Sequence, residues 1–166
     1  MFPVARMVTK QEMKVRKAYY AACPAGSLLA EEVYCFKCDS YWISDFERPD
    51  ACAKCGIVYS DYGEYCKPDI LLMTPTQQGK DVLGVVRIDD ENLHKKNKKH
   101  RMHDYNQTEL LEKRGVKVFI LYNEEVDDYY PWRLYAIARF FWECLTNEHL
   151  YKLYRADKDI IQRFAK

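Results

Sequence analysis

The sequence predicts an α/β domain with a small four-cysteine unit set into it, on three observations. An amphipathic helix, a two-strand hairpin and a strand–helix–strand unit follow one another along the chain. Two Cys-x2-Cys pairs stand between that first helix and the hairpin. Apolar residues at helical spacing follow Pro131 and close the chain. A length of 166 residues suits one domain carrying an insertion. Hydrophobic residues at 48% and charged residues at 31% exclude disorder and a collagen-like repeat. No apolar stretch is long enough to span a bilayer, and MFPVARMVTK at the N-terminus lacks a signal-peptide core. The expectation is therefore a soluble, cytoplasmic protein in a reducing compartment, without a membrane partner. The net charge of +1 does not advertise nucleic-acid binding, so the distribution of charge matters more than its sum.

The elements follow in order. Residues 9–22 read as a helix opened by a Thr9-x-x-Glu12 capping box, with Met13, Ala18 and Tyr19 among its inward candidates. Cys23-Pro24-Ala25-Gly26-Ser27 ends it. Residues 33–60 form the cysteine ribbon, with short strands at best. Residues 69–73 (DILLM) and 82–88 (VLGVVRI) are β-branched and apolar, and TPTQQGKD between them reads as a hairpin loop. A basic loop covers 94–103, and a helix over 104–114 ends at Gly115, a natural C′ residue. The strand 116–122 then completes a βαβ crossover with parallel strands. Pro131 suits the first turn of a helix whose stripe is Leu134, Ile137, Ala138, Phe141 and Leu145. Short amphipathic helices over 148–165 make 131–166 a C-terminal helical extension of a single domain, 1–166.

Four of the seven cysteines are patterned as Cys35-x2-Cys38 and Cys52-x2-Cys55. Each pair turns two thiolates to one side of a tight knuckle, and two knuckles make the tetrahedral sulfur cage that Zn2+ accepts. Gly56 suits the positive φ such a knuckle needs. Two disulfides or a redox dithiol are the competing readings, disfavoured for doubled knuckles in a chain without a secretion signal. Four thiolates fill the shell, so the zinc is expected to be structural rather than catalytic. Cys23, Cys66 and Cys144 read as buried or free thiols, with Cys66 a candidate to lie near the metal.

Helix, hairpin and βαβ is also the core order of the restriction-endonuclease-like fold, in which an Asp begins the second strand and an acid-x-Lys pair sits on the third. Lys67-Pro68-Asp69 supplies the first acid, while Arg87-Ile88-Asp89 departs from the second motif. The chain resembles more closely a narrower group: the very-short-patch mismatch-repair (Vsr) endonucleases and the homing endonucleases named for a Glu-Asp-x-His-Asp set. The residues that carry this resemblance are Glu12 and Arg16 on the first helix, Asp69, VVRIDDENLH ending in His94, and Asp104 opening the helix DYNQTELLEKRG. It covers residues 9–22 and 66–126. Asp89 and Asp90 replace a His-Gly pair typical of that group, and the hairpin loop is longer.

The resemblance implies Mg2+-dependent cleavage of DNA. Asp69 would be the central metal ligand beside the Ile88 carbonyl, with Asp89 as an added ligand. His94 would take a proton from the attacking water, and Glu12 and Asp104 would orient water, metal or histidine. Each residue has a plainer role open to it: Glu12 in the capping box, Asp104 as an N-cap, Asp69 in a turn, His94 on a solvated surface. Lys95, Lys96, Lys98, Lys99 and Arg101 place five fixed positive charges directly after the third strand, where they suit a phosphate backbone. Tyr41 and Trp42 stand between the knuckles and suit either base stacking or a miniature core. A homing-type or other mobile-element nuclease is favoured over mismatch-directed nicking. The competitor from another class is a catalytically inactive, zinc-ribbon nucleic-acid-binding or interaction protein on a degenerate nuclease scaffold.

Overall fold

The computed structural model describes residues 9–23, 28–29, 32–44, 48–60, 62–73, 82–89 and 98–164, with the side chains of 28, 29, 32, 62, 73, 82, 98–104 and 164 outside that description. The first helix, α1 (Lys10–Ala22), is capped by Thr9, whose Oγ1 accepts from the Glu12 N–H at 3.1 Å. Its buried face is Glu12, Val15, Ala18, Tyr19 and Ala22. Met13, expected inward, is instead 43% exposed, because the 3.6-residue period that buries Val15 and Tyr19 turns position 13 outward.

A four-stranded sheet forms the centre. In spatial order it contains β1 (Leu28–Leu29), β5 (Ile70–Met73), β6 (Val82–Asp89) and β7 (Lys117–Tyr122). β1 with β5 and β5 with β6 are antiparallel, and β6 with β7 is parallel. A parallel pair needs a crossover, supplied here by α2 (Lys98–Lys113). Gly115 ends that helix at φ 79, with the Val116 N–H returning to the Leu111 carbonyl at 3.0 Å. The helix begins six residues earlier than the sequence suggested. Residues 98–103 are helical, and Asp104 lies inside α2 rather than at its N-cap. The physical reason is that the run holds no glycine or proline, and Lys, Arg and Met are good helix formers.

Alternation along the strands builds two cores. Ile70, Leu72, Val86, Phe119 and Leu121 face one side. There they meet α1, α4 (Pro131–Cys144) and α5 (Glu148–Ala156), through Leu134, Ile137, Ala138, Phe141, Tyr151 and Tyr154. Phe119 stacks on Phe141 with centroids 4.4 Å apart. The helices after Pro131 are thus half of the main core, and the expected extension is integral packing. Between β7 and α4 lies the short helix α3 (Asn123–Asp128), and α6 (Ile161–Phe164) follows α5. Leu71, Val85 and Val118 face the other side, against Leu111 of α2 and against Tyr34, Phe36 and Cys66. Those last three belong to the cysteine ribbon and its flank, where a second, three-stranded sheet is ordered β3 (Ser40–Ile43), β2 (Glu32–Cys35), β4 (Tyr65–Cys66). The cysteine ribbon therefore supplies part of the wall of the second core. Among the described residues no helix is long and apolar enough to cross a membrane.

Candidate metal centre and the acidic end of the sheet

Cys35 ends β2, Cys38 closes the turn that follows, and Cys52 and Cys55 flank a second turn carrying the Ala51–Val58 bridge. The four sulfurs lie within 4.8 Å of one another. Cys38 and Cys52 Sγ stand 3.7 Å apart, far from a disulfide length of about 2.05 Å. A tetrahedron of metal–sulfur bonds of about 2.3 Å places sulfurs about 3.8 Å apart, so the spacing fits a metal ion such as zinc. All seven cysteines are unbridged. Cys66 is buried at 1% exposure against the second core and is not one of the four.

The knuckle backbones aim at sulfur. Cys52 Sγ accepts from the N–H groups of Lys54 at 3.3 Å and Cys55 at 3.4 Å. Burial alone would push the Cys52 thiol up, but these two donors together with the side chains of Cys55 and Tyr59 bring its pKa down to about 6. The Ile57 N–H works to lower Cys55. Desolvation and hydrogen bonding among the clustered sulfurs win, and it rises to about 11. One readily ionised sulfur among close neighbours is a cluster suited to a cation.

Gly56 follows the second knuckle at φ 77, and Asp39 holds the same place after the first at φ 53. Asp39 is there for its carboxylate: Oδ1 accepts from Tyr34 Oη at 3.2 Å and from Arg114 Nε at 2.6 Å. Arg114, just beyond α2, also donates to the Phe36 carbonyl and lies over the Phe36 ring at 4.9 Å. Gln107 on α2 donates to the Tyr65 carbonyl at 2.9 Å. The ribbon is thereby fastened to the crossover helix at two levels. Tyr41 packs against the second core and Trp42 is half-buried opposite Val33, which places both in the ribbon's own packing. Asp39 and Arg114 carried no motif; the equivalence of positions 39 and 56 after paired knuckles was the one signal in the sequence.

The second candidate region is the end of the sheet where β6 and β7 finish and β5 begins. Asp69 immediately precedes β5, and its Oδ2 accepts from the Ile88 N–H at 2.7 Å, so these two residues are in direct contact. Asp89 is the last residue of β6, in register with Tyr122. Glu12 lies on α1, which is tied to α3, the helix directly after β7, through Lys14 Nζ to the Val126 carbonyl at 2.6 Å and Gln11 to Asp127 at 3.0 Å. Its carboxylate is 2% exposed, with Arg16 Nη2 3.9 Å away. Lys158, which no motif marked, shares this field. Burial, first, and Arg155 hold its pKa below the ordinary lysine range, while Asp89 and Glu125 pull it upward.

Among the described residues, the four cysteines are the one group of three or more His, Cys, Asp or Glu ligand atoms drawn within metal-binding reach. Glu12, Asp69 and Asp89 do not converge into another. His94, Lys95 and Lys96 lie outside the described residues, and Asp104, Lys98, Lys99 and Arg101 are described as backbone in α2. Comparison of the chain with protein-family models, with curated proteins and with solved structures returned no match.

Proposed function

We propose that this chain is a Mg2+-dependent DNA endonuclease whose second core is stapled by a structural Zn2+ at Cys35, Cys38, Cys52 and Cys55. The observation that carries the catalytic half is the contact between Asp69 and Ile88 at the end of β5 and β6, with Asp89 one residue further. A helix, antiparallel strands and a parallel crossover in this order, with an acid opening the second strand of the hairpin's sheet, support the restriction-endonuclease-like reading. Two carboxylates suffice for Mg2+, which is commonly held by one or two of them and completed by substrate phosphate and water. Asp69, Asp89 and the Ile88 carbonyl are hard oxygen donors of the kind it takes. When bound, the ion neutralises charge developing on the phosphoryl oxygens. His94 would accept the proton of the attacking water, Glu12 and Asp104 would hold orientation, and the cations of 95–101 would lie along the phosphate backbone.

A second reading has its own support. The Asp69–Ile88 bond is a complete structural role in itself, since it satisfies a backbone donor at a strand end. On that reading the chain is a zinc-ribbon nucleic-acid-binding or interaction protein without turnover. Incubating the zinc-loaded protein with supercoiled, linear and T·G-mismatched DNA, with Mg2+ or with EDTA, separates the readings. Mg2+-dependent nicking or linearisation supports the nuclease, and preferential cleavage of the mismatch would favour a repair role over a homing-type one. Binding without cleavage supports the second reading.

A further inference from the structure

Tyr59 stands seven residues beyond Cys52, its N–H held by the Asp50 carbonyl at 2.8 Å and its ring tilted against Tyr65 at 4.8 Å between centroids. Its hydroxyl oxygen is buried and has no hydrogen-bond partner among the described residues, and the ionisable groups that act on it are the sulfurs of Cys35 and Cys52. Those are the first cysteines of the two knuckles, 0% and 3% exposed, whereas Cys38 is half-buried and Cys55 exposed. Leaving a buried hydroxyl without an acceptor is unfavourable, so the position needs an acceptor. A thiol sulfur is a weak one; a thiolate bearing charge is a strong one.

We propose that Tyr59 is a positioning residue of the metal centre, its hydroxyl donating to a metal-bound thiolate of Cys35 or Cys52 from the buried side. The proton stays on the phenol and the oxygen does not ligate the metal. The bond draws charge from sulfur and links the two knuckles, as outer hydrogen bonds do for other ligands. This rests on the four cysteines holding a metal.

The test is cobalt(II) titration and zinc competition against a chromophoric chelator, on the full chain and on Tyr59→Phe, which keeps the ring against Tyr65. With wild type binding one metal per chain, Tyr59→Phe is expected to keep that stoichiometry and lose about tenfold in affinity. Its sulfur-to-cobalt charge-transfer band is expected to move to lower energy, because an unbonded thiolate gives up charge more easily. Unchanged affinity and an unmoved band overturn the role of Tyr59 and leave the metal centre standing. Wild type that takes up neither metal overturns the metal centre and this inference with it. Should Tyr59→Phe not fold, the cadmium-loaded wild type decides. A tyrosine hydroxyl proton that exchanges slowly with water and couples to 113Cd supports the proposal, and its absence overturns it.

Discussion

Asp39 and Gly56 occupy equivalent places after the two knuckles, yet only glycine adopts positive φ without steric cost. The strain at Asp39 is on the order of 1 kcal/mol, and the partly exposed ion pair with Arg114 returns at most about as much. Asp39→Gly is therefore expected to be nearly neutral, because it removes strain and pair together. Asp39→Ala keeps the strain and loses the pair, so it should fall about 1 kcal/mol below Asp39→Gly, read from urea midpoints at constant slope. Equal midpoints would mean that position 39 is not strained. Gly84 makes a different demand. A Cβ there would lie 2.8 Å from Leu145 Cδ2 and 3.1 Å from the Lys117 carbonyl oxygen of the neighbouring strand. Gly84→Ala should cost about 1–3 kcal/mol by overpacking, measured by the same unfolding titration. The demand at Gly84 was not readable from one sequence, since it arises from what another element places beside the residue.

At the scale of elements, β7 is an edge of the central sheet, and α5 covers it. The Tyr151 hydroxyl accepts from the Val118 N–H at 2.9 Å, and that of Tyr154 accepts from the Ile120 N–H at 3.0 Å. Burial pushes the Tyr151 and Tyr154 phenols well above the ordinary tyrosine range, so they remain neutral acceptors at any working pH. Tyr154→Phe keeps the ring among Phe119, Phe140 and Phe141 but strands the Ile120 N–H. A loss of about 1–3 kcal/mol is expected, with faster amide exchange at residue 120 than elsewhere in β7. The local patterns that predict elements were legible. Thr9 caps α1, Gly115 stops α2, and the Leu134, Ile137, Ala138, Phe141 and Leu145 stripe is buried. The start of α2 was not, because a run of lysines has no apolar period to mark it as helix. The pairing of Tyr151 and Tyr154 with a strand edge was not either, because it joins elements some thirty residues apart.

At the scale of the whole molecule, the ribbon is a wall of the second core, and metal and fold should rise and fall together. The four-cysteine spacing announced that centre in the sequence, whereas its attachment through Asp39, Phe36, Arg114 and Gln107 is a tertiary fact. Cys52→Ser, or chelation of the wild type, is expected to remove on the order of 5 kcal/mol. The melting temperature should fall by roughly 10–20 °C, at about 2–4 °C per kcal/mol for a chain of this size. An unchanged melting curve after verified metal loss would show the ribbon to be held by α2 alone. The basic run is the other long-range feature. Replacing Lys95, Lys96, Lys98 and Lys99 by Gln should weaken duplex binding similarly across sequences and flatten its salt dependence. The log–log slope should fall by about one unit for each phosphate that is no longer neutralised. An unchanged slope would make these lysines a solvated surface.

The candidate hydrolytic residues were legible only in part, because the positions that would complete the set, His94 and Asp104, depend on the segment after β6 and on the start of α2. Asp69 is the position on which the nuclease reading turns, and Asn is its most informative replacement. An asparagine Oδ1 can still accept from the Ile88 N–H, so a purely structural Asp69 tolerates the change. A Mg2+ ligand does not, since the charge that holds the ion is gone. The decisive measurement is the rate of Mg2+-dependent plasmid cleavage by Asp69→Asn beside wild type, on samples matched in melting temperature and zinc content. A nuclease of this kind should show a wild-type rate that needs Mg2+ and a loss of at least about a hundredfold in Asp69→Asn; equal rates in the two proteins would rule that function out.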